Sequence, residues 1–190
     1  MAYLSRCELE AMGFKALGAN VKISDKASIY DAGSIELGDY ARIDDFCIIS
    51  GRVSIGRYCH ITPMCLVAGG VPGITLSEFC TLAYGVKVFS QSDDYSGATM
   101  VNSLISKKYK KELFSAVVLE RQVIVGAGSV ILPGVVIGEG CSIGALTLVN
   151  KSTVPWGIYV GSPARRLKER KRDLLQLEAQ FLEEQEDDSI

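Results

Sequence analysis

The sequence predicts an all-β protein: a parallel β-helix of hexapeptide repeats with a short N-terminal helix, one long excursion loop and a C-terminal α-helix. A large aliphatic residue recurs every six positions over most of the chain. This period fits neither the 3.6 residues of a helix nor the two of a single strand, and it is typical of hexapeptide solenoids. Mostly small residues occupy the position four after each aliphatic residue, and the repeat is interrupted once, over residues 94–118.

The repeats define residues 17–160 as the β-helix, with the excursion loop inside it. At three hexapeptides per turn they build about six coils. Two extra residues near Ile35–Glu36 and three near Gly73–Thr75 shift the phase, and we expect small bulges at corners there. The repeating aliphatic positions are Leu17, Ile23, Ile29, Leu37, Ile43, Ile49, Ile55, Ile61, Val67, Leu76, Leu82, Val88, Leu119, Val125, Ile131, Ile137, Ile143 and Val149.

Segments of different character flank the repeats. Residues 1–16 form a lead-in with a helix over 5–12, because Ser5 and Glu8 have the spacing of a capping box. Residues 161–190 form a C-terminal helix and tail, with the helix beginning at about Ala164. We expect its apolar face to dock on the β-helix or on a neighbouring subunit. The residues of that face are Leu167, Leu174, Leu177 and Phe181.

Composition narrows the class of protein. The 190 residues are 48% hydrophobic, enough for one domain with a continuous core. The net charge of −2 gives no electrostatic case for binding nucleic acid. No apolar run approaches the roughly 20 residues of a membrane helix. The first ten residues lack the basic and apolar segments of a signal peptide, so we expect a cytoplasmic protein without membrane insertion.

The sequence has six cysteines, and five of them fall in the small, inward-facing position of the repeat. A free cysteine behaves as a small buried hydrophobe. The register therefore predicts buried free thiols rather than disulfides, and no metal site. The five are Cys47, Cys59, Cys65, Cys80 and Cys141, and Cys7 lies outside the repeats.

Several segments resemble the left-handed β-helix acyltransferases. They are the hexapeptide repeats, the excursion loop, VIVGAGSVILPGVVIGEGCSIGALTLVNKS and YVGSPARRLK. The resemblance implies left-handed coils, acyl transfer from coenzyme A or acyl carrier protein, and a homotrimer with active sites between subunits. RIDDFCIISG and SDDYSG are more narrowly similar to bacterial nucleotide-sugar N-acyltransferases. That likeness implies acetyl-CoA as the acyl donor. The implied acceptor is dTDP-4-amino-4,6-dideoxyglucose or a related amino sugar that serves O-antigen or surface glycans. The nucleotide of the acceptor stays open among dTDP, UDP and GDP.

Asp93 ends the last hexapeptide before the excursion, where hydroxyl acetyltransferases of this family carry a histidine base. A carboxylate with a pKa near 3.9 is a feeble base for an alcohol, whereas an amine needs positioning more than deprotonation. Asp93 as a catalytic residue therefore favours N-acylation, with Asp94 and Tyr95 as acceptor-binding candidates. A sugar O-acetyltransferase and a catalytically inactive scaffold remain the alternatives, as does a role for Asp93 and Asp94 in capping the turn.

His60 is the only histidine in the sequence and the second catalytic candidate. It ends a hexapeptide at a position expected to point outward, so it either handles a proton in the cleft between subunits or is an ordinary surface residue. In relatives the departing coenzyme A thiolate is the alternative proton acceptor, since a thiol pKa near 8.5 permits it. Asp44 and Asp45, in the segment similar to the N-acyltransferases, are further acceptor-binding candidates.

Small residues and cations near the repeat corners predict a site for coenzyme A. We expect the corners at residues 126–128, 144–145 and 150–151 to stack over one another, about one coil apart. Small residues let the pantetheine arm approach the backbone, and guanidinium groups match phosphate geometry. A backbone N–H near Ala83–Gly85 or Gly126 is the candidate for polarising the thioester carbonyl. The alternative is that the glycines serve only the corners and the arginines only a solvated helix start. The candidates are Ala83, Gly126, Ala127, Gly144, Ala145, Asn150, Lys151, Pro163, Arg165 and Arg166.

Overall fold

The computed structural model describes residues 2–187 of the chain, with side chains over 2–185. Its two helices are α1 (Arg6–Ala11) and α2 (Leu174–Asp187). The end of the predicted C-terminal tail, residues 188–190, lies outside the described residues. The strands, in chain order, are β1 (Ala16–Leu17), β2 (Lys22–Ile23), β3 (Ser28–Tyr30), β4 (Ile35–Leu37), β5 (Arg42–Ile43), β6 (Ile48–Ile55), β7 (His60–Ile61), β8 (Leu66–Leu76), β9 (Thr81–Leu82), β10 (Lys87–Phe89), β11 (Gln91–Ser92), β12 (Leu113–Phe114), β13 (Val117–Leu119), β14 (Ile124–Val125), β15 (Val130–Ile131), β16 (Val136–Ile137), β17 (Ser142–Ile143), β18 (Leu148–Val149), β19 (Gly157–Val160) and β20 (Arg165–Glu169).

The strands stack in parallel into three faces, which confirms the β-helix. The first face holds β1, β4, the second half of β6, the second half of β8, β13 and β16. The second face holds β2, β5, β7, β9, β14, β17 and β19. The third face holds β3, the first halves of β6 and β8, then β10, β15 and β18.

Three corners separate these faces. The first corner joins the first face to the second, and carries Tyr40, Tyr58 and Phe79 in a stack. The second corner joins the second face to the third, and the third corner joins the third face back to the first. β6 and β8 continue through the third corner, so two faces form one ten-stranded sheet.

The repeat aliphatic residues fill the interior of the coils. Ile43, Ile61 and Leu82 lie in register on successive coils of the second face and are at most 1% exposed. The five repeat cysteines are buried free thiols, as predicted, and Cys7 is exposed. Their thiols lie near carbonyl oxygens of the next coil, for example Cys59 Sγ at 2.9 Å from the Ser77 oxygen.

The two phase shifts lie close to their predicted places. A single 3₁₀ turn over Ala32–Ser34 accommodates the first, before β4. The second falls inside the continuous strand β8, whose pairing with β6 shifts register around Gly51. The extra residues are thus absorbed within a strand as well as at a turn.

Helix α1 confirms the predicted capping box. The Glu8 backbone N–H donates to the Ser5 hydroxyl, and the Ser5 N–H donates to the Glu8 carboxylate at 2.7 Å. Leu9 on this helix is 1% exposed and seals the first coil. The lead-in segment therefore covers the open end of the solenoid.

The C-terminal helix begins later than predicted. Helix α2 starts at Leu174, and the prediction that it begins at about Ala164 was wrong. Residues Arg165–Glu169 form β20, antiparallel to β19. The physical reason is that β19 is the last parallel strand, and its outer backbone groups need hydrogen-bond partners that a helix could not supply. Leu167 is consequently exposed.

Helix α2 docks on the β-helix of its own chain. Phe181 packs edge-on against Tyr58, with ring centroids 5.2 Å apart. Glu178 is buried and bound to Arg121 and Gln122 at the first corner. None of the helices over residues 2–187 has the length and apolar character that a membrane crossing requires.

Candidate active site

Small residues on successive coils form a ladder at the second corner. The Ala83 N–H donates to the Val125 carbonyl at 2.9 Å, and the Gly126 N–H donates to the Ile143 carbonyl at 2.7 Å. A Cβ on Gly126 would lie 2.5 Å from the Ala145 nitrogen, so the coils stack this closely only with glycine there. We call Ala83, Gly126, Ala127, Gly144 and Ala145 the donor ladder.

The segment after β19 brings further residues that were predicted to bind coenzyme A to the C-terminal end of this ladder. The Ala164 N–H donates to the Leu148 carbonyl at 2.8 Å, which places Pro163 across the last coil. Arg165 and Arg166 follow on β20, opposite Val160 and Tyr159. The guanidinium of Arg166 is bound to Glu169. The two arginines therefore lie at the C-terminal end of the solenoid, where a phosphate group could reach them.

Asn150 and Lys151 do not stack with the donor ladder, contrary to the prediction. They follow β18 and enter the third corner, where the Leu132 N–H donates to the Val149 carbonyl at 3.0 Å. The whole third face separates them from Ala145. The prediction was wrong because neighbouring hexapeptides on one coil turn to different corners.

A buried carboxylate organises the N-terminal end of the same face. Asp44 is 2% exposed and accepts hydrogen bonds from Arg42 Nε at 2.7 Å and from the Tyr3 hydroxyl at 3.2 Å. Its other oxygen lies 2.8 Å from His60 Nε2. Burial raises the pKa of Asp44, but the hydrogen bonds from Arg42 and His60 outweigh it and hold the pKa below its ordinary value. Asp44 is therefore ionised and fixes the His60 ring.

Asp44, Ala83, Gly126 and Gly144 occupy one register position of the second face. The Asp44 N–H donates to the Ile61 carbonyl, and the Thr62 N–H donates to the Leu82 carbonyl, each at 3.0 Å. Asp44, Thr62 and Ala83 thus follow one another on successive coils. At about 4.8 Å per coil, Asp44 lies about 10 Å from Ala83. His60 and the donor ladder share one continuous surface.

Asp45 points to a different set of partners. The Ser24 hydroxyl donates to its carboxylate, and Lys26 Nζ lies 3.6 Å away. Sequence reasoning missed Tyr3 and Arg42. The sequence did indicate Arg42, because it lies two positions before Asp44 and residues two apart in extended chain share a face. Nothing in the sequence indicated Tyr3, because it lies 41 positions away from Asp44.

The excursion leaves and returns at the third corner as a hairpin of β11 and β12. A recess of about 330 Å³ at its base is lined by Asp93, Asp94, Tyr95 and Lys111, among others. Asp94 accepts hydrogen bonds from the side chain and N–H of Ser96 and from the hydroxyl and N–H of Thr99, and these lower its pKa to about 2. Asp94 therefore holds the turn.

The Asp93 carboxylate lines the same recess but takes no part in the hydrogen bonds that hold the turn. Within the described residues it has no ion pair, and its side chain accepts no hydrogen bond. Tyr95 beside it is 93% exposed. Asp93 is thus available to a ligand, whereas Asp94 is occupied by the loop.

The candidate residues form two separate groups in one chain. Asp93 and Tyr95 lie at the third corner, whereas His60, Asp44 and the donor ladder lie on the second face and second corner. The third face separates the groups. No described group of three histidine, cysteine or acidic residues could hold a metal ion.

A hexapeptide solenoid, a ladder of small residues and an acidic excursion define the class of hexapeptide-repeat transferases. The family described as bacterial transferase hexapeptide (six repeats) matches residues 116–151. The chain is 38% identical over 183 residues to the dTDP-4-amino-4,6-dideoxy-D-glucose acyltransferase of Escherichia coli, covering 95% of each chain. The chain therefore belongs to the hexapeptide-repeat acyltransferase family that contains this enzyme.

Solved structures give the same relationship. AntD, an N-acyltransferase from Bacillus cereus in complex with dTDP and 3-hydroxybutyryl-CoA, matches with a TM-score of 0.95 and 43% identity over 97% of this chain and 98% of that chain. A mutant of AntD in complex with dTDP-4-amino-4,6-dideoxyglucose and coenzyme A matches with a TM-score of 0.95 and 44% identity, over 96% and 98% of the two chains.

Proposed function

We propose that this chain transfers an acyl group, with acetyl the expected one, from coenzyme A to the amine of a nucleotide-linked 4-amino-4,6-dideoxy sugar. The expected acceptor is dTDP-4-amino-4,6-dideoxyglucose. The observation that carries the proposal is the carboxylate of Asp93 in the excursion recess, which has no ion pair and accepts no hydrogen bond within the described residues. Asp93 occupies the sequence position at which hydroxyl acetyltransferases of the family have a histidine. The AntD complexes with dTDP, this amino sugar and coenzyme A support it.

Asp93 suits an amine acceptor for an electrostatic reason. The amine nitrogen attacks the thioester carbonyl carbon, and the nitrogen becomes cationic as the bond forms. Asp93 accepts a hydrogen bond from that nitrogen and stabilises the developing charge. The C–S bond then breaks, and the departing coenzyme A thiolate or His60 takes the proton.

The thioester oxygen needs a hydrogen-bond donor at the second corner. The N–H groups of Ala83, Gly126 and Gly85 already donate to the carbonyls of Val125, Ile143 and Pro63. The Tyr84 N–H makes no backbone hydrogen bond within the described residues. We therefore assign the Tyr84 N–H, which lies inside the predicted range 83–85, as the oxyanion donor.

The donor ladder fits the extended part of coenzyme A. Gly126 and Gly144 keep the coils closely stacked, since a Cβ on either would press against the next coil, and neither places a side chain in the way of a pantetheine arm. Pro163, Arg165 and Arg166 lie beyond it at the end that would hold the nucleotide phosphates. Asn150 and Lys151, at the third corner, contribute only if another copy of the chain completes this end.

The separation of the two groups supports an active site shared between copies. We propose a homotrimer in which the excursion of one copy lies against the second corner of the next. Exposed apolar side chains occur on both surfaces: Tyr84 and Leu146 at the corner are 64% and 77% exposed, and Leu104 on the excursion is 90% exposed. The product would serve an O-antigen or another surface glycan, and the expected compartment is the cytoplasm.

Thiol release tests the proposed reaction. Acetyl-CoA and 3-hydroxybutyryl-CoA are each incubated with the chain and dTDP-4-amino-4,6-dideoxyglucose, a hydroxyl sugar nucleotide, or no acceptor. We expect acceptor-dependent thiol release with the amino sugar alone. Release with the hydroxyl sugar nucleotide would indicate an O-acyltransferase, and no release with either would contradict an enzymatic role. Light scattering of the same sample gives the mass of the oligomer.

A further inference from the structure

A second recess at the third corner lies next to the one that contains Asp93. It has a volume of about 400 Å³, and its lining includes Asp31, Ser34, Arg52 and Gln91. Gln91 lies on β11, and Asp93 follows this strand directly. The two recesses therefore flank one short strand, with the second on the N-terminal coils.

Close stacking of two glycines forms the floor of this recess. A Cβ on Gly51 would lie 2.5 Å from the Gly70 nitrogen. Both residues have positive φ, +72° and +49°, which glycine adopts without strain. β6 and β8 can therefore pass through the corner with bare backbone exposed, and the side chains of Arg52 and Gln91 stand at the edges.

Arg52 carries a charge that the chain does not neutralise. Its aliphatic stem packs over Gly73, whose Cβ position lies 3.2 Å from Arg52 Cδ. Within the described residues no carboxylate lies within 4.0 Å of its guanidinium, and the carboxylate of Asp31 across the recess is unpaired as well. Several other cations of these coils are paired, for example Arg57 with Glu78 at 2.9 Å and Lys26 with Asp45.

We propose that this recess binds the diphosphate of the nucleotide-linked acceptor, with Arg52 as its anion-binding residue. The inference rests on the proposed function. The donor ladder runs through the coils after Ala83, so the donor approaches Asp93 from the C-terminal side. The remainder of an acceptor whose amine lies at Asp93 then extends toward the N-terminal coils, where this recess is.

The chemistry of the lining fits a nucleoside diphosphate. Gln91 and Asp93 are two residues apart on extended chain, about 7 Å, so a sugar ring can separate the amine from the diphosphate. A guanidinium binds phosphate oxygens in a bidentate manner. The Asp31 carboxylate accepts a hydrogen bond from a sugar hydroxyl or a base N–H, and the Ser34 hydroxyl and the Gln91 amide can donate to phosphate.

Calorimetric titration of the full chain tests the assignment without relying on turnover. The ligands are dTDP, thymidine and coenzyme A, and the variants are Arg52→Gln, Arg52→Lys and, as a matched control, Arg57→Gln. Arg57 belongs to the same coil but lies at the first corner, so its replacement removes one charge away from the recess. Thermal unfolding of each variant confirms that it is folded.

We expect Arg52→Gln to weaken dTDP binding roughly 10- to 100-fold, the range for a lost charged hydrogen bond, with thymidine and coenzyme A unaffected. Arg52→Lys should recover part of the loss, and Arg57→Gln should bind as wild type. Unchanged dTDP affinity in Arg52→Gln would overturn this inference alone. A loss confined to coenzyme A would overturn it in favour of a donor phosphate site. A wild-type chain that binds no dTDP would overturn the proposed acceptor and this inference together.

Discussion

His60 Nε2 lies 2.8 Å from Asp44 Oδ2, and this contact joins the only histidine of the sequence to a carboxylate that is 2% exposed. Arg42 and Tyr3 bind the other oxygen of Asp44. The histidine ring is therefore held in one orientation, with its Nδ1 edge left for solvent or ligand. Because Asp44 and Ala83 share one register position, the ring faces the surface that also carries the donor ladder.

The Asp44 network should make stability depend on pH in the acid range. Because the folded pKa of Asp44 lies below its unfolded value, its stabilisation is present above about pH 4 and is lost as the pH falls through the folded pKa. We expect Asp44→Asn to lower the free energy of unfolding by about 1–3 kcal/mol at pH 7. Urea unfolding of both proteins from pH 7 to pH 3 should show the difference shrinking. A constant difference, or an equal effect of Asp25→Asn at an exposed position, would contradict this role.

His60→Gln separates a proton-handling histidine from a surface one. If His60 takes the amine proton, we expect kcat to fall by about 100-fold, the lower range for general base catalysis. The KM for acyl-CoA and the melting temperature should change little. Steady-state kinetics measure the first two and differential scanning fluorimetry the third. Since the sequence has no other histidine, unchanged kcat would assign proton removal to the coenzyme A thiolate.

Asp93 and Asp94 should differ in the kind of defect that their replacement causes. Asp93→Asn is expected to lower kcat at least 100-fold with no change in melting temperature, because the carboxylate has no ion pair and accepts no hydrogen bond within the described residues. Asp94→Asn should instead loosen the turn held through Ser96 and Thr99, which proteolysis of the excursion would reveal. Equal kinetics for Asp93→Asn and wild type would remove Asp93 from the reaction.

Gly126→Ala tests whether the donor ladder depends on close stacking of the coils. The added Cβ would lie 2.5 Å from the Ala145 nitrogen, so the backbone must move, and we expect a loss of about 1–3 kcal/mol. In a chain of this length that corresponds to a drop of several degrees in melting temperature. Gly33→Ala is the matched control, because the nearest atom to its Cβ is 3.8 Å away. Similar melting temperatures for the two variants would refute the stacking constraint.

The burial of the repeat cysteines should be visible in their reactivity. The thiol of Cys80 lies beside that of Cys59, and this neighbour together with burial raises the pKa of Cys80 far above its ordinary value. A thiol that stays protonated reacts slowly, and each of the five repeat cysteines is at most 1% exposed, so a reagent cannot reach them in the folded chain. We expect a thiol reagent to label one cysteine per native chain, Cys7, and all six after denaturation. Mass spectrometry that finds several modified repeat cysteines in the native protein would contradict the packing.

The sequence predicted the coils because burial leaves a periodic trace. Ile43, Ile61 and Leu82 carry the six-residue period and lie in register inside the solenoid. The same register correctly placed the buried thiols. The helix predicted from about Ala164 was wrong for residues 165–169, where β20 pairs with β19. That outcome depends on an exposed strand edge, which no local pattern reports.

The period, the inward position of the cysteines and the place where the excursion leaves the solenoid were thus determined by the sequence alone, since each reflects the burial of residues close together in the chain. Only the tertiary structure decided which corner each candidate occupies. It separated Asp93 from the donor ladder, moved Asn150 and Lys151 to the third corner, and brought Tyr3 to Asp44. The physical reason is that contacts between coils depend on the exact number of residues in every turn, which phase shifts alter. A six-residue pattern does not reveal those contacts between coils.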